Sequence, residues 1–212
     1  TARGTSVTDT GLLYTVSGSN ITLTAGKSYT LNSGSAYSSD GNITASSGGN
    51  ITFNSAATVG ASSVFSATGG NITLGALESA INNLYTVTIS GANTYTQNGN
   101  VRATNALSSF IVTANSMVWG SNLRANSSIV LNAPLTLTAT SQVTSLSSGV
   151  QFSNAINGAF GLTVNAGDQI NFNANVGQTT PLASLTATAT NGIIINFGTT
   201  IFATSGAQAY NS

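Results

Sequence analysis

A chain of 212 residues carries four basic and four acidic side chains, no net charge, and 110 residues that are Ser, Thr, Asn or Gly. Disordered chains pair low hydrophobicity with high net charge, so a chain that is 41% hydrophobic and 4% charged, where ordinary domains are about 25% charged, is a folded one. Without clustered Lys and Arg there is no footprint for nucleic acid or an anionic membrane surface, and without Cys or His there are no disulfides, thiolate or imidazole metal sites, or ordinary Ser–His–Asp catalysis.

Alternation of apolar and polar residues begins early. Ile21 and Leu23 alternate with Thr22 and Thr24, and after the turn signal Asp40-Gly41 the triplet Asn42-Ile43-Thr44 restarts the pattern. The hexapeptide GGNITF at 48–53 returns as GGNITL at 69–74. Period two places one side of each run in the core and its Thr or Asn side in solvent. LGALESAINNLY, at 74–85, is the best helical window, with Leu74, Leu77, Ile81, Leu84 and Tyr85 at helical spacing. Tyr85, Val87 and Ile89 return to alternation, and TYTQNGNVRA at 94–103 carries an Asn-Gly hairpin signal. Leu135 with Leu137, Leu162 with Val164, Ile170 with Phe172, and Leu185 with Ala187 and Ala189 follow. The densest apolar run, NGIIINFG at 191–198, is strand-sized and far short of the ~20 residues of a membrane-spanning helix. Gly48-Gly49, Gly69-Gly70, Asn98-Gly99, Asn157-Gly158 and Asn191-Gly192 mark turns between the runs. The fold class is all-β.

Repeats select the kind of all-β fold. Asn-Ile-Thr occurs at 20–22, 42–44, 50–52 and 71–73, at intervals of 22, 8 and 21. Downstream, LTVNAGDQINF at 162–172 is echoed by LTATATNGIIINF at 185–197, with the Leu-Thr pairs 23 apart and the Ile-Asn-Phe triplets 25 apart. A unit of 21–25 residues with several short strands and Gly/Asn corners is one rung of a parallel β-helix, or β-solenoid, which buries its inward row only when the next rung stacks on it. About nine rungs would make a rod on the order of 45 Å long. Tandem antiparallel β-sandwiches are the alternative. The whole chain, 1–212, reads as a single module with a weak long repeat, about 1–97 and 98–212, because TISGANTY at 88–95 reappears as ATSGAQAY at 203–210. Low charge follows from stacking, since a charged side chain would face a like charge one rung away.

Within this frame Gly49 and Gly70 are corner residues, and Asn20, Asn50 and Asn71 are ladder candidates beside the corners. GLTVNAGDQINFNANVGQTTPLASLTATA at 161–189, followed by TSGAQAYNS at 204–212, resembles the repeat arrays of bacterial filamentous-haemagglutinin-like and autotransporter-type surface proteins. The resemblance implies a right-handed parallel β-helix shaft of a large exported chain, on the bacterial cell surface or outside the cell, serving adhesion or surface structures. It transfers no functional residue. No signal peptide opens the sequence, so export implies that these residues are a mature fragment.

Chemistry is sparse. Asp9, Asp40, Glu78 and Asp168 are scattered, and isolated carboxylates do not make the paired acids of glycan-cleaving β-helices. The expectation is a non-enzyme with no cofactor and no metal. Its expected partners are neighbouring repeats or further copies of the chain, with a host or surface glycan as a second candidate and no nucleic acid or membrane insertion. The Thr-x-Thr pairs at Thr22/Thr24, Thr86/Thr88, Thr136/Thr138/Thr140 and Thr186/Thr188/Thr190 raise the alternative of an ice- or carbohydrate-binding surface, and Tyr37 and Trp119 are candidate sugar platforms if exposed. Asn20, Asn42, Asn50, Asn71 and Asn126 open Asn-x-Ser/Thr sequons, and the acidic residue in DGNIT singles out Asn42 for glycosylation.

Overall fold

A computed structural model describes residues 2–9, 13–15, 21–31, 36–38, 41–82, 84–101, 105–196 and 202–212, with side chains at 21–28, 30, 41–82, 84–101, 105–196 and 202–212. Asn20, Asp40 and Arg102 lie outside the described residues, as do the side chains of Asp9 and Tyr37.

Strands β1 (Ala2–Asp9) and β2 (Leu13–Thr15) come first, followed by β3 (Ile21–Leu31) and β4 (Ala36–Ser38). One turn then holds β5 (Ile43–Ser47), β6 (Ile51–Phe53) and β7 (Ala57–Val59), and the next β8 (Ser63–Ala67), β9 (Ile72–Leu74) and β10 (Leu77–Ser79). Two long strands follow, β11 (Val87–Gln97) and β12 (Phe110–Trp119), the second continuing into β13 (Leu123–Ala125). Another turn holds β14 (Ile129–Asn132), β15 (Leu135–Leu137) and β16 (Ser141–Ser145). It is succeeded by β17 (Val150–Phe152), β18 (Ile156–Asn157) and β19 (Gly161–Ala166). The chain closes with β20 (Ile170–Phe172), β21 (Ser184–Ala189), β22 (Ile193–Ile195) and β23 (Gln208–Asn211).

Every pairing between these strands is parallel, each strand lying on its counterpart one turn away. That is a β-solenoid of about eight turns, close to the nine rungs expected, and it excludes the tandem sandwiches. Three columns of strands result. The first runs through β5, β8, β14, β17, β20 and β22, and the second through β6, β9, β15 and β18. β3, β11 and β12 are long enough to cross both. The third column holds β2, β4, β7 and β10, then single-residue bridges at Val101, then β13, β16, β19, β21 and β23.

The odd spacing of Asn-Ile-Thr now has a reason. Ile21 pairs with Ile43 in the first column and Ile51 with Ile72 in the second, so the intervals of 22 and 21 are turns. The interval of 8 is the step from first to second column within one turn. Turn length in the first column varies from 19 residues, Phe110 to Ile129, to 24, Ser63 to Val87. The Leu-Thr echo is also a turn, because Leu162 pairs with Leu185. The Ile-Asn-Phe echo is not: Ile170 pairs with Ile193, two residues before the second triplet begins.

Inward residues make one continuous core. Ile43, Ile51, Phe53, Phe65, Ile72 and Leu74 are fully buried, and Phe53 meets Phe65 edge-on with ring centroids 5.4 Å apart. Farther along, Phe152 and Phe172 stack face to face at 5.3 Å, and Phe172 meets Phe202 edge-on at 5.4 Å. Each such side chain contributes roughly 1.5–3 kcal/mol when buried, and only a neighbouring turn can bury it. The described residues of the segment at 74–85 are not helical. Leu77 enters the core from β10, while Ile81 and Leu84 are half exposed on the connection to the next turn, so its helical spacing came from two faces of a strand-and-loop path. Asn98-Gly99 is likewise a corner between parallel columns and not a hairpin, since Leu77 bridges Val101 in parallel.

Candidate functional site

The corner between the first two columns is built by close backbone contact. A Cβ on Gly49 would sit 1.5 Å from the Lys27 carbonyl oxygen one turn below, and a Cβ on Gly70 would sit 2.2 Å from the carbonyl carbon of Gly49. No side chain fits there, which is why this column of the corner is paired glycine. Ser47, just before the corner, donates to the Lys27 carbonyl at 3.2 Å and accepts from the Gly49 N–H at 3.0 Å.

Beside the glycines the asparagines interlock. The Asn71 N–H donates to Asn50 Oδ1 at 2.9 Å, and the Thr94 N–H donates to Asn71 Oδ1 at 3.1 Å. One turn on, Asn93 Nδ2 donates to the Gly69 carbonyl at 3.1 Å and Asn115 Nδ2 donates to Asn93 Oδ1 at 3.2 Å. The carboxamide oxygens of Asn50 and Asn71 thus each satisfy a backbone donor at the bend, while that of Asn93 accepts from the Asn115 side chain. Asn20 lies outside the described residues. Asn42 is half-buried, accepts from the Thr44 hydroxyl at 3.3 Å, and passes its carbonyl to the Ile21 N–H at 2.9 Å.

A second ladder escaped the sequence reading. At the corner between the second and third columns, the Asn122 N–H donates to Asn100 Oδ1 at 2.9 Å and the Gln142 N–H donates to Asn122 Oδ1 at 3.0 Å. Its signal is an amide residue directly before the first inward aliphatic: Asn100-Val101, Asn122-Leu123 and Gln142-Val143 share this form with Asn50-Ile51 and Asn71-Ile72. The wording differs at each turn, so a search for Asn-Ile-Thr passes over it.

The expected surface sites are differently placed. Trp119 is buried and donates its indole N–H to the Ser121 carbonyl at 2.6 Å, so it offers no sugar platform. The side chain of Tyr37 lies outside the described residues. Thr22, Thr24 and Thr88 fall on the first column, Thr136 on the second, and Thr186 and Thr188 on the third, so the Thr-x-Thr pairs do not form one face. A single-file threonine column does exist: Thr30, Thr52, Thr73 and Thr96 pair in register on the second column. Glu78 accepts from the Asn105 N–H at 3.1 Å, and Asp168 accepts from Asn191 Nδ2 at 2.9 Å, four turns away. Among the described residues no three His, Cys, Asp or Glu side chains gather, and no helix is long and apolar enough to cross a membrane.

Where β11 and β12 cross two columns, the core turns aromatic and polar at once. Tyr95, Phe110 and Trp119 form a triangle with centroid separations of 6.0–6.4 Å. Gln97 occupies an inward position between Leu74 and Trp119, accepting from the Tyr95 hydroxyl and donating to the carbonyls of Gly75 and Gly99, the latter at 2.7 Å. Burial pushes the Tyr95 phenol well above its ordinary pKa, because its charged form would lose solvation there. No protein-family profile, no curated protein and no solved structure matches this chain.

Proposed function

We propose that the chain is a structural shaft, or tandem-repeat module, of an exported bacterial surface adhesin or fibre, able to associate end to end with further repeats or copies. The observation that supports this reading most is the continuous first-column ladder and single core through about eight turns, clad outside in Ser, Thr and Asn. Such a stack resists bending and proteolysis because no turn can open without exposing the core of its neighbours.

Immunogold labelling of intact cells with antiserum against this chain tests the reading. Gold on fibres or layers at the cell surface is the expected result, and label confined to the cytoplasm would sink it. The threonine column at Thr30, Thr52, Thr73 and Thr96 favours a second reading, an ice- or carbohydrate-binding surface, for which faceted ice growth at micromolar protein is the check.

A further inference from the structure

We propose that a recess on the third column, around Arg124, binds the carboxylate of an acidic oligosaccharide. This goes beyond the shaft reading and stands without it. The recess holds about 250 Å³ and is lined by Asn100, Val101, Asn122, Leu123, Arg124, Gln142 and Thr144. Val101 and Leu123 are buried, so the groups presented to an occupant are the three amides, the Thr144 hydroxyl and the guanidinium.

The ladder fixes the polarity of this wall. Asn100 Oδ1 and Asn122 Oδ1 are taken by the backbone N–H groups of Asn122 and Gln142, which leaves the NH2 end of each carboxamide as the part available to a ligand. Neighbouring donors are one turn apart and held by the backbone, so no ordering is needed when a ligand arrives. The recess is therefore rich in donors, and its lining includes no carboxylate among the described residues.

Arg124 supplies the charge. Its Nε–H is inaccessible to solvent and has no hydrogen-bond partner among the described residues. A donor closed to solvent is closed to a ligand oxygen as well, so an anion would be met by the rest of the guanidinium of this half-buried side chain. The described carboxylates are committed elsewhere, Glu78 to Asn105 and Asp168 to Asn191. A guanidinium edge matches the two oxygens of a planar carboxylate, while flanking amides and a hydroxyl suit sugar hydroxyls. An acidic sugar combines both groups.

The test is an array of oligosaccharides ending in glucuronate, galacturonate or sialate, each beside its methyl ester, probed with the wild-type chain. At least one acid should bind, with its ester and the Arg124→Gln variant at least about tenfold weaker. Asn122→Ala should weaken the same acid by a smaller factor. Lys27→Gln removes the other described cation, which is exposed on another face, and should leave binding unchanged. Thermal melts establish that each variant is folded. Equal binding of acid and ester, equal binding by Arg124→Gln, no binding at all, or loss with Lys27→Gln would each overturn the proposal. Competition by acetate at the sugar's own concentration would overturn the saccharide assignment.

Discussion

The two halves of the solenoid use one structural phrase on different columns. In the first half a five-residue strand lies on the first column, a Gly-Gly-Asn corner follows, and a three-residue strand lies on the second: β5 to β6, then β8 to β9. In the second half the five- or six-residue strands β16, β19 and β21 lie on the third column, and the short strands after them, β17, β20 and β22, lie on the first. The phrase has moved back by one column. Between the halves β11 and β12 run through the corner unbroken, and the third column thins to bridges at Val101. The repeating object is therefore strand, corner and short strand, and not a face of the rod. The two copies of the long echo accordingly lie on different columns: Ser90-Gly91-Ala92 crosses from first to second column within β11, whereas Ser205-Gly206-Ala207 leads into β23 on the third.

If the changeover is held by its aromatic triangle, Trp119→Ala should be the most damaging single change, at about 3–5 kcal/mol in urea unfolding. A loss below that of an ordinary small core truncation would mean that the long strands hold the seam without it. Corner glycines compare the halves directly. A Cβ on Gly49 meets the Lys27 oxygen at 1.5 Å, and one on Gly167 meets the Leu146 oxygen at 2.3 Å. Gly49→Ala should cost on the order of 3 kcal/mol, and Gly167→Ala less. The reverse order would place the tighter corner in the second half.

The seam also carries an alkaline signature. Tyr95 ionises near pH 10 in the unfolded chain and well above it when folded, so its contribution is complete below about pH 10 and is lost as pH rises toward the folded value. Wild-type stability should fall by about 1.4 kcal/mol more per pH unit above 10 than that of Tyr95→Phe. Parallel slopes for the two chains would contradict the buried neutral phenol. The smallest effects belong to the ladders: Asn71→Ala and Asn122→Ala should each cost about 0.5–1.5 kcal/mol, one ladder in each corner. A neutral result in either would show that water replaces the carboxamide there.

Much of the architecture was legible because stacking forces repetition where residues touch. Gly49 and Gly70 recur because backbone lies against backbone, and Ile51 and Ile72 recur because one covers the other. Outward positions tolerate any polar residue, so the Asn100–Asn122–Gln142 ladder changes its wording from turn to turn. Gln97 was hidden for a different reason. In the run Tyr-Thr-Gln period two puts Gln97 on the inward side with Tyr95, against the usual preference of glutamine for solvent, and the Tyr95 hydroxyl with the carbonyls of Gly75 and Gly99 makes its burial tolerable. Leu77, Ile81 and Leu84 misled because spacing alone does not separate a helix from a short strand followed by an exposed loop.

The 21-residue interval is one turn of a parallel coil, and engineered disulfides test this against a background free of native cysteine. Thr52 and Thr73 are register partners, as are Thr163 and Thr186, and strands in register lie about 4.8 Å apart, within disulfide range. Thr52 and Thr96 are two turns apart, beyond that range. Oxidation of the folded chain should close Thr52→Cys/Thr73→Cys and Thr163→Cys/Thr186→Cys quantitatively and leave Thr52→Cys/Thr96→Cys reduced. Failure of the first two pairs, or equal closure of the third, would contradict the solenoid.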